Sequence, residues 1–298
     1  MDKPQIIGLG LNGLVGSRIT ELLKDNYDFV SLSRSTGVDI TDAQSLTTLK
    51  NYKDAKFVLQ FSAKTDVDAC EKDKALGEEG EAWKINVEGT RSVAEICREL
   101  GKKIIYISTD FVFDGEKEKG DSYGEEDSPN PINWYSKTKY EGEKRVEESG
   151  APYIILRLAF PYRAGFEFKK DFVRGIADSL NNGNEVKAIT DQIFCPTLID
   201  DIAVVLDALI KNDAMGIYHA VGDEALTPFE ASLKIAENFG LDTSLITETT
   251  REEFFKDRAP RPFNLHLRNA KIDQLGVKMK GFSEGLLEIK RQITDLHS

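Results

Sequence analysis

Through the first 160 residues, strand-sized apolar runs alternate with longer amphipathic ones, and this alternation narrows the fold more than any single motif. Residues 4–9, 29–33, 56–61, 103–108 and 152–158 are the apolar runs. Between them, residues 14–23, 43–51, 66–74, 81–100 and 133–149 carry helical spacing, and Gly101 and Gly150 close the last two. Strands that are apolar along nearly their whole length are buried on both faces, so they need helices above and below a parallel sheet. Past residue 160 the pattern loosens. Helices are expected at 171–181, 198–211, 228–239 and 284–292, with short strands at 186–189 and 217–220.

The turn after the first strand reads Gly8-Leu-Gly10-Leu-Asn-Gly13-Leu-Val-Gly16 and opens the first helix. Glycines there let backbone approach a pyrophosphate, whose charge suits a helix N-terminus. Together with the alternation, this predicts a Rossmann-like doubly wound α/β domain for nicotinamide dinucleotides over residues 1–160. A smaller, mainly substrate-binding domain is expected over 161–298, with about 185–220 returning to the first. Gly10, Leu11, Asn12, Gly13, Leu14 and Val15 are the expected pyrophosphate contacts. At the end of the second strand, Ser33 and Arg34 replace the carboxylate that usually holds a ribose 2′-hydroxyl, and a guanidinium suits a 2′-phosphate. NADP is therefore expected, with NAD as the other admissible coenzyme. Asp39 and Ile40 are placed at the adenine edge, and Phe61, Ser62 and Ala63 along the coenzyme.

Composition bounds the partners. Of 298 residues, 40% are hydrophobic and 30% charged, as in an ordinary soluble globular protein. A formal charge of −12 argues against nucleic-acid binding, which needs clustered cations. The apolar runs fall far short of the ~20 residues of a membrane span, and no secretory leader is visible. Three isolated cysteines, Cys70, Cys97 and Cys195, lack metal spacing and suit a reducing cytoplasm. The loop over 114–131, rich in turn residues and charges, is a substrate flap or a plain surface loop.

Tyr135 and Lys139 lie four apart on an expected helix, which puts ammonium and phenol on one face. A nearby cation favours phenolate and should bring the phenol toward the working pH. Ser108 and Thr109 end the fourth strand, where ligands bind in parallel sheets, and either hydroxyl can hydrogen-bond a substrate carbonyl. Trp134 is a candidate substrate contact, whereas Trp83 reads as helix packing and His219 as a core residue. Arg157 and Arg261 suit a diphosphate or a structural ion pair equally.

As a set, Gly10-x-x-Gly13-x-x-Gly16, Ser108-Thr-Asp-Phe-Val-Phe-Asp-Gly115 and Tyr135-Ser-Lys-Thr-Lys139 resemble the extended short-chain dehydrogenase/reductases, and within them the dTDP-4-dehydrorhamnose reductase family. Asn86 in Asn-Val-Glu-Gly-Thr, Asp191-Gln192, Pro196-Thr197 and Gly216-Ile-Tyr-His-Ala220 extend the resemblance over nearly the whole chain. It implies a Thr109–Tyr135–Lys139 triad and NADPH-dependent reduction of a 4-keto nucleotide-diphospho-sugar, with Ser108, Trp134 and Arg261 as substrate contacts. It also implies a homodimer as the expected assembly, and no carboxylate set recommends itself as a metal site. The same superfamily holds two rivals: an epimerase or dehydratase that recycles its NAD, for which Asp110 beside Thr109 speaks, and a non-catalytic NADP-binding regulatory subunit.

Overall fold

The computed structural model describes residues 3–296. The chain divides into two compact units. The first runs to Val112 and takes in Pro129–Arg157 and Leu206–Tyr218; the second comprises Phe113–Ser128, Leu158–Val205 and His219 onward. The first unit thus gives way to the second after Arg157, Leu206–Tyr218 groups with the first, and the loop after Val112 groups with the second.

The first unit is built on a six-stranded sheet among the described residues. Its strands are β1 (Gln5–Leu9), β2 (Asp28–Leu32), β3 (Phe57–Gln60), β4 (Lys103–Thr109), β5 (Tyr153–Leu158) and an edge strand at Gly216–Ala220, in the spatial order β2-β1-β3-β4-β5-edge. β1 is parallel to β2 on one side (Gln5 opposite Asp28) and to β3 on the other (Ile6 opposite Phe57). Chain order therefore reverses at β1, and the carboxyl ends of β1 and β3 flank a crevice where doubly wound sheets hold ligands. Both faces of the sheet are apolar because both are covered. Ile6, Ile7, Val58, Leu59, Ile104 and Ile105 are fully buried.

The helices of this unit are α1 (Leu14–Leu23), α2 (Ala43–Leu46), α3 (Val67–Asp73), α4 (Glu81–Trp83), α5 (Thr90–Glu99) and α6 (Trp134–Glu148). Val93, Ala94 and Cys97 of α5 and Val146 of α6 pack with Ile7, Ile104 and Ile155 in one core. Two helical expectations need correction. The helix at 43–51 is α-helical only to Leu46 and then tightens to a 3-10 turn, and the stretch 81–100 is interrupted by a π-helical segment, Lys84–Gly89. An inserted residue of this kind locally breaks the i to i+4 ladder and re-aims side chains. α6 approaches the π-helical segment closely. A Cβ at Gly142 would stand 2.5 Å from both the Asn86 carbonyl and the Tyr106 hydroxyl.

The second unit packs Tyr162, Phe172, Phe194 and Phe282 edge-to-face around helices Phe172–Asn181, Pro228–Phe239 and Phe282–Leu296. The middle helix starts and stops where its sequence dictates. Thr227 and Glu230 form a capping box, Pro228 opens the first turn, and Gly240 ends it at φ +68°. Val186–Ile189 pairs in parallel with Ile246–Thr249, a strand not foreseen. The loop after Val112 is tied down within its own unit: Tyr123 donates to Asp114 at 2.6 Å, and Asn264 Nδ2 donates to the Glu118 carbonyl at 2.8 Å.

Candidate coenzyme and active site

The β1–α1 turn needs its glycines for different reasons. Gly10 has φ +83°, and a side chain there would meet Ser62 within 3 Å; at Gly16 a Cβ would strike the Leu11 backbone. Gly13 faces open space, with only the Gly10 carbonyl within 4 Å, so a group can approach there. Gly13 is also the N-cap of α1 and brings no side chain to that position. Asn12 and Gly13 are exposed, and Leu14 and Val15 half-buried. Leu11 is buried with its side chain turned against Gly8, so only its backbone can serve a ligand.

A cleft of about 400 Å³ opens beside this turn, lined in part by Asn12, Ser33, Arg34, Asp39, Ile40, Ser62 and Ala63. Phe61 is not among the residues that line it; its amide is bonded to the Leu9 carbonyl. Ile85, from the π-helical segment, also lines the cleft and was not foreseen, because nothing in residues 81–100 signals the break. Arg34 Nε donates to Asp39 Oδ2 at 2.9 Å, with the Arg34 side chain 65% exposed. The Thr41 amide, helped by Arg34, holds the Asp39 carboxyl below its ordinary range. The rim thus presents both a cation and a carboxylate, where the sequence pointed to the cation alone. A glycine cradle that a Cβ would fill, open space at a helix start and a cation at the cleft rim fit a dinucleotide.

At the carboxyl end of β4 the reacting groups meet. Asn133 caps α6 by accepting from the Ser136 amide, which sets Tyr135 in its first turn and Lys139 one turn on. The Thr109 hydroxyl lies near enough to the Tyr135 phenol to favour its ionised form, against the burial that raises it. Thr109 Oγ1 also donates to Asp110 Oδ1 at 3.0 Å and accepts from the Phe111 amide at 3.2 Å. Lys139 Nζ donates to the Ile107 carbonyl at 2.7 Å and sits 4.0 Å above the Tyr106 ring. Asn86, in the π-helical segment, clamps the neighbourhood. It accepts from the Lys64 amide and donates to the Lys64 carbonyl and to Thr138 of α6.

Electrostatics here run against one expectation. Burial raises the Tyr135 phenol well above its ordinary value, with Asp110 and Cys70 adding to the rise, rather than Lys139 lowering it. Burial likewise brings the Lys139 ammonium down to about 7 and the Asp110 carboxyl up to about 7. Desolvation outweighs the attraction of Glu143 for Lys139, and for Asp110 the hydrogen bonds from Thr109 and from the Phe111 and Asp110 amides. The Ser108 hydroxyl and Asp110 Oδ2 are buried and meet no partner among the described residues.

Trp134 stacks on Trp83 with ring centroids 5.8 Å apart, its amide donates to Glu71 Oε2, and neither indole nitrogen finds an acceptor among the described residues. Arg157 is no diphosphate ligand. It is fully buried and forks onto Glu143, Nε to Oε1 at 3.0 Å and Nη2 to Oε2 at 2.7 Å. Arg261, in the second unit, donates to the Ala259 carbonyl and lies over the Phe255 ring. His219 is a core residue, its Nδ1 3.1 Å from the Arg268 carbonyl. No helix among the described residues is long and apolar enough to cross a membrane, and no group of three or more His, Cys, Asp and Glu there could hold a metal ion.

Known proteins share this arrangement. The family described as "RmlD substrate binding domain" matches residues 4–294. A probable low-salt glycan biosynthesis reductase of Haloferax volcanii is 29% identical over 97% of this chain and 98% of its own. A dTDP-4-dehydrorhamnose reductase of Sinorhizobium fredii is 32% identical over 72% of this chain and 71% of its own. The crystal structure of dTDP-4-dehydrorhamnose reductase from Bacillus anthracis in complex with NADP superposes with a TM-score of 0.88 at 28% identity, covering 98% of this chain and all of that one. The chain therefore belongs to the RmlD substrate binding domain family, the dTDP-4-dehydrorhamnose reductase branch of the extended short-chain dehydrogenase/reductases.

Proposed function

We propose that this protein is an NADPH-dependent reductase of a 4-keto nucleotide-sugar, converting dTDP-4-dehydro-L-rhamnose to dTDP-L-rhamnose. The observation that carries this is Thr109 at the end of β4 acting on the Tyr135 phenol in the first turn of α6, with Lys139 one turn on. The Gly10–Val15 turn would hold the pyrophosphate, Ser33 and Arg34 a 2′-phosphate, Asp39 and Ile40 the adenine end, and Phe61–Ala63 the coenzyme's length. When bound, the reduced nicotinamide supplies a hydride. Tyr135, kept protonated by burial, gives its proton to the ketone oxygen. Thr109 and the unpartnered Ser108 hydroxyl orient that oxygen, and Lys139 holds a ribose hydroxyl. Within the first unit we assign Ser108 and Trp134 as substrate contacts, and within the second Arg261 as a candidate contact for the nucleotide-sugar. Three buried free thiols suit a reducing cytoplasm.

Net oxidation of NADPH by the keto-sugar tests the reading, since an epimerase or dehydratase leaves its coenzyme unchanged overall. Tyr135→Phe should cut turnover by roughly 10²- to 10⁴-fold while coenzyme affinity stays within a few-fold. Full activity in that variant would remove Tyr135 as the proton donor.

A further inference from the structure

Asp110 has no part in the reaction as outlined, yet it is buried at 2% exposure directly behind the reacting hydroxyls. One carboxyl oxygen, Oδ1, hydrogen-bonds the Thr109 hydroxyl at 3.0 Å, and Thr109 in turn acts on Tyr135. The other, Oδ2, is buried without a partner among the described residues. An ionised carboxylate left in this way would lose water's hydrogen bonds and gain nothing for one of its oxygens. A neutral carboxyl group tolerates the site far better. The Lys139 nitrogen is bonded to the Ile107 carbonyl.

We propose that Asp110 stores the proton that recharges Tyr135 after each turnover, passing it through Thr109. The proposal rests on the reductase reading and completes it. In the chemical step the ketone carbon receives a hydride, with its two electrons, from the reduced coenzyme. The ketone oxygen takes the Tyr135 proton, leaving an alcohol, oxidised coenzyme and a phenolate. Before the step the neutral Asp110 donates from Oδ1 to Thr109 and Thr109 donates to Tyr135; Thr109 then gives its hydroxyl proton to the phenolate and takes the Asp110 proton, which leaves Thr109 donating to the Asp110 carboxylate across the same 3.0 Å contact. Asp110 is left as a carboxylate and regains a proton from solvent, so one proton is consumed per ketone reduced. Asp110 acts through Thr109 and is a positioning residue.

The titratable groups around this chain are Tyr135, Lys139 and Glu143 from α6, Tyr106 from β4 and Cys70 from α3, with Glu143 acting on Lys139 and Tyr135 on Tyr106. Burial keeps the Tyr135 phenol neutral and holds the Cys70 thiol up at about 12. Lys139 titrates in the same range as Asp110, so a variant must assign any pH limb.

The test uses the full chain and Asp110→Asn, which keeps the shape and the Oδ1 acceptor but holds no transferable proton. Wild-type turnover should fall as pH rises through about 7, where Asp110 ionises. In Asp110→Asn that limb should vanish, steady-state turnover should drop roughly 10- to 100-fold, and one equivalent of coenzyme should still be oxidised in a fast first turnover. Independently of activity, the infrared band of a protonated carboxyl should be present in wild type below pH 7 and missing from the variant. Absence of that band, an unchanged pH limb, or a first turnover slowed as much as the steady state would each overturn the relay alone. Wild-type protein that oxidises no coenzyme with the keto-sugar would remove the reductase reading, and the relay with it.

Discussion

Tyr135 and Lys139 stand one helical turn apart, and that spacing invites an argument from charge alone, in which the ammonium pulls the phenol toward ionisation. The structure tips the balance the other way. Both groups are almost fully buried, and the Lys139 nitrogen is taken up by the Ile107 carbonyl and the Tyr106 ring. Desolvation then moves each toward its neutral form. The same reasoning gives Asp110 a measurable signature. Its folded carboxyl titrates near 7, against 3.8 when unfolded, so between those values the folded chain holds a proton that the unfolded chain has released. Wild type should therefore lose stability as pH rises across that window, and Asp110→Asn should not. Stabilities from urea unfolding at pH 4.5 and 7.5 should move in favour of the variant by about 3 kcal/mol, and no relative change would mean that Asp110 is ionised throughout. The positions of Thr109, Tyr135 and Lys139 were legible in the sequence because each follows from spacing along one element. The partner of Arg157 was not, since Glu143 lies on a different element and nothing local couples them.

Elements meet where side chains are small enough to let them, and two helical glycines illustrate the contrast. Gly142 of α6 lies against the π-helical segment, with the Asn86 carbonyl and Tyr106 hydroxyl where a methyl group would go. Gly142→Ala must push α6 off that segment and disturb the Asn86–Thr138 bond, and should cost roughly 1–3 kcal/mol, as overpacking does. Gly175, inside the helix Phe172–Asn181, has open space where its methyl group would go, with nothing within 4 Å. Gly175→Ala should stabilise by about 0.5–1 kcal/mol through helix propensity alone. Opposite shifts of the denaturation midpoint check the pair, and a destabilising Gly175→Ala or a neutral Gly142→Ala would contradict it. Elements with strong local punctuation, such as Leu14–Leu23 and Pro228–Phe239, were legible to the residue. The π-helical segment was not, because its extra residue is fixed by tertiary clamping of Asn86 onto Lys64 and Thr138 rather than by its own sequence.

For the whole molecule, the tension is between a formal charge of −12 and a ligand that is itself a polyanion. Long-range repulsion fades beyond a screening length of ~10 Å at 0.1 M salt, so the local donors decide. On this surface they are backbone amides at the start of α1, which any dinucleotide shares, and Arg34, which only a 2′-phosphate would use. Asp39 complicates the choice, because its carboxylate would accept from a free 2′-hydroxyl and repel a phosphate. Arg34 has the advantage: phosphate offers it a bidentate charged contact worth about 1.5–3 kcal/mol, while Asp39 already commits acceptor capacity to Thr41 and Arg34. A ligand bound only by the folded chain raises stability by RT ln(1 + [L]/Kd), about 2.7 kcal/mol at a hundredfold excess over Kd. NADPH should therefore raise the melting temperature more than NADH at equal concentration. Arg34→Ala should bring the NADPH shift down to the NADH value, whereas Asp39→Asn should weaken NADH and spare NADPH. Equal shifts in the wild-type chain, or an NADPH advantage that survives loss of Arg34, would place coenzyme selection somewhere other than this ion pair.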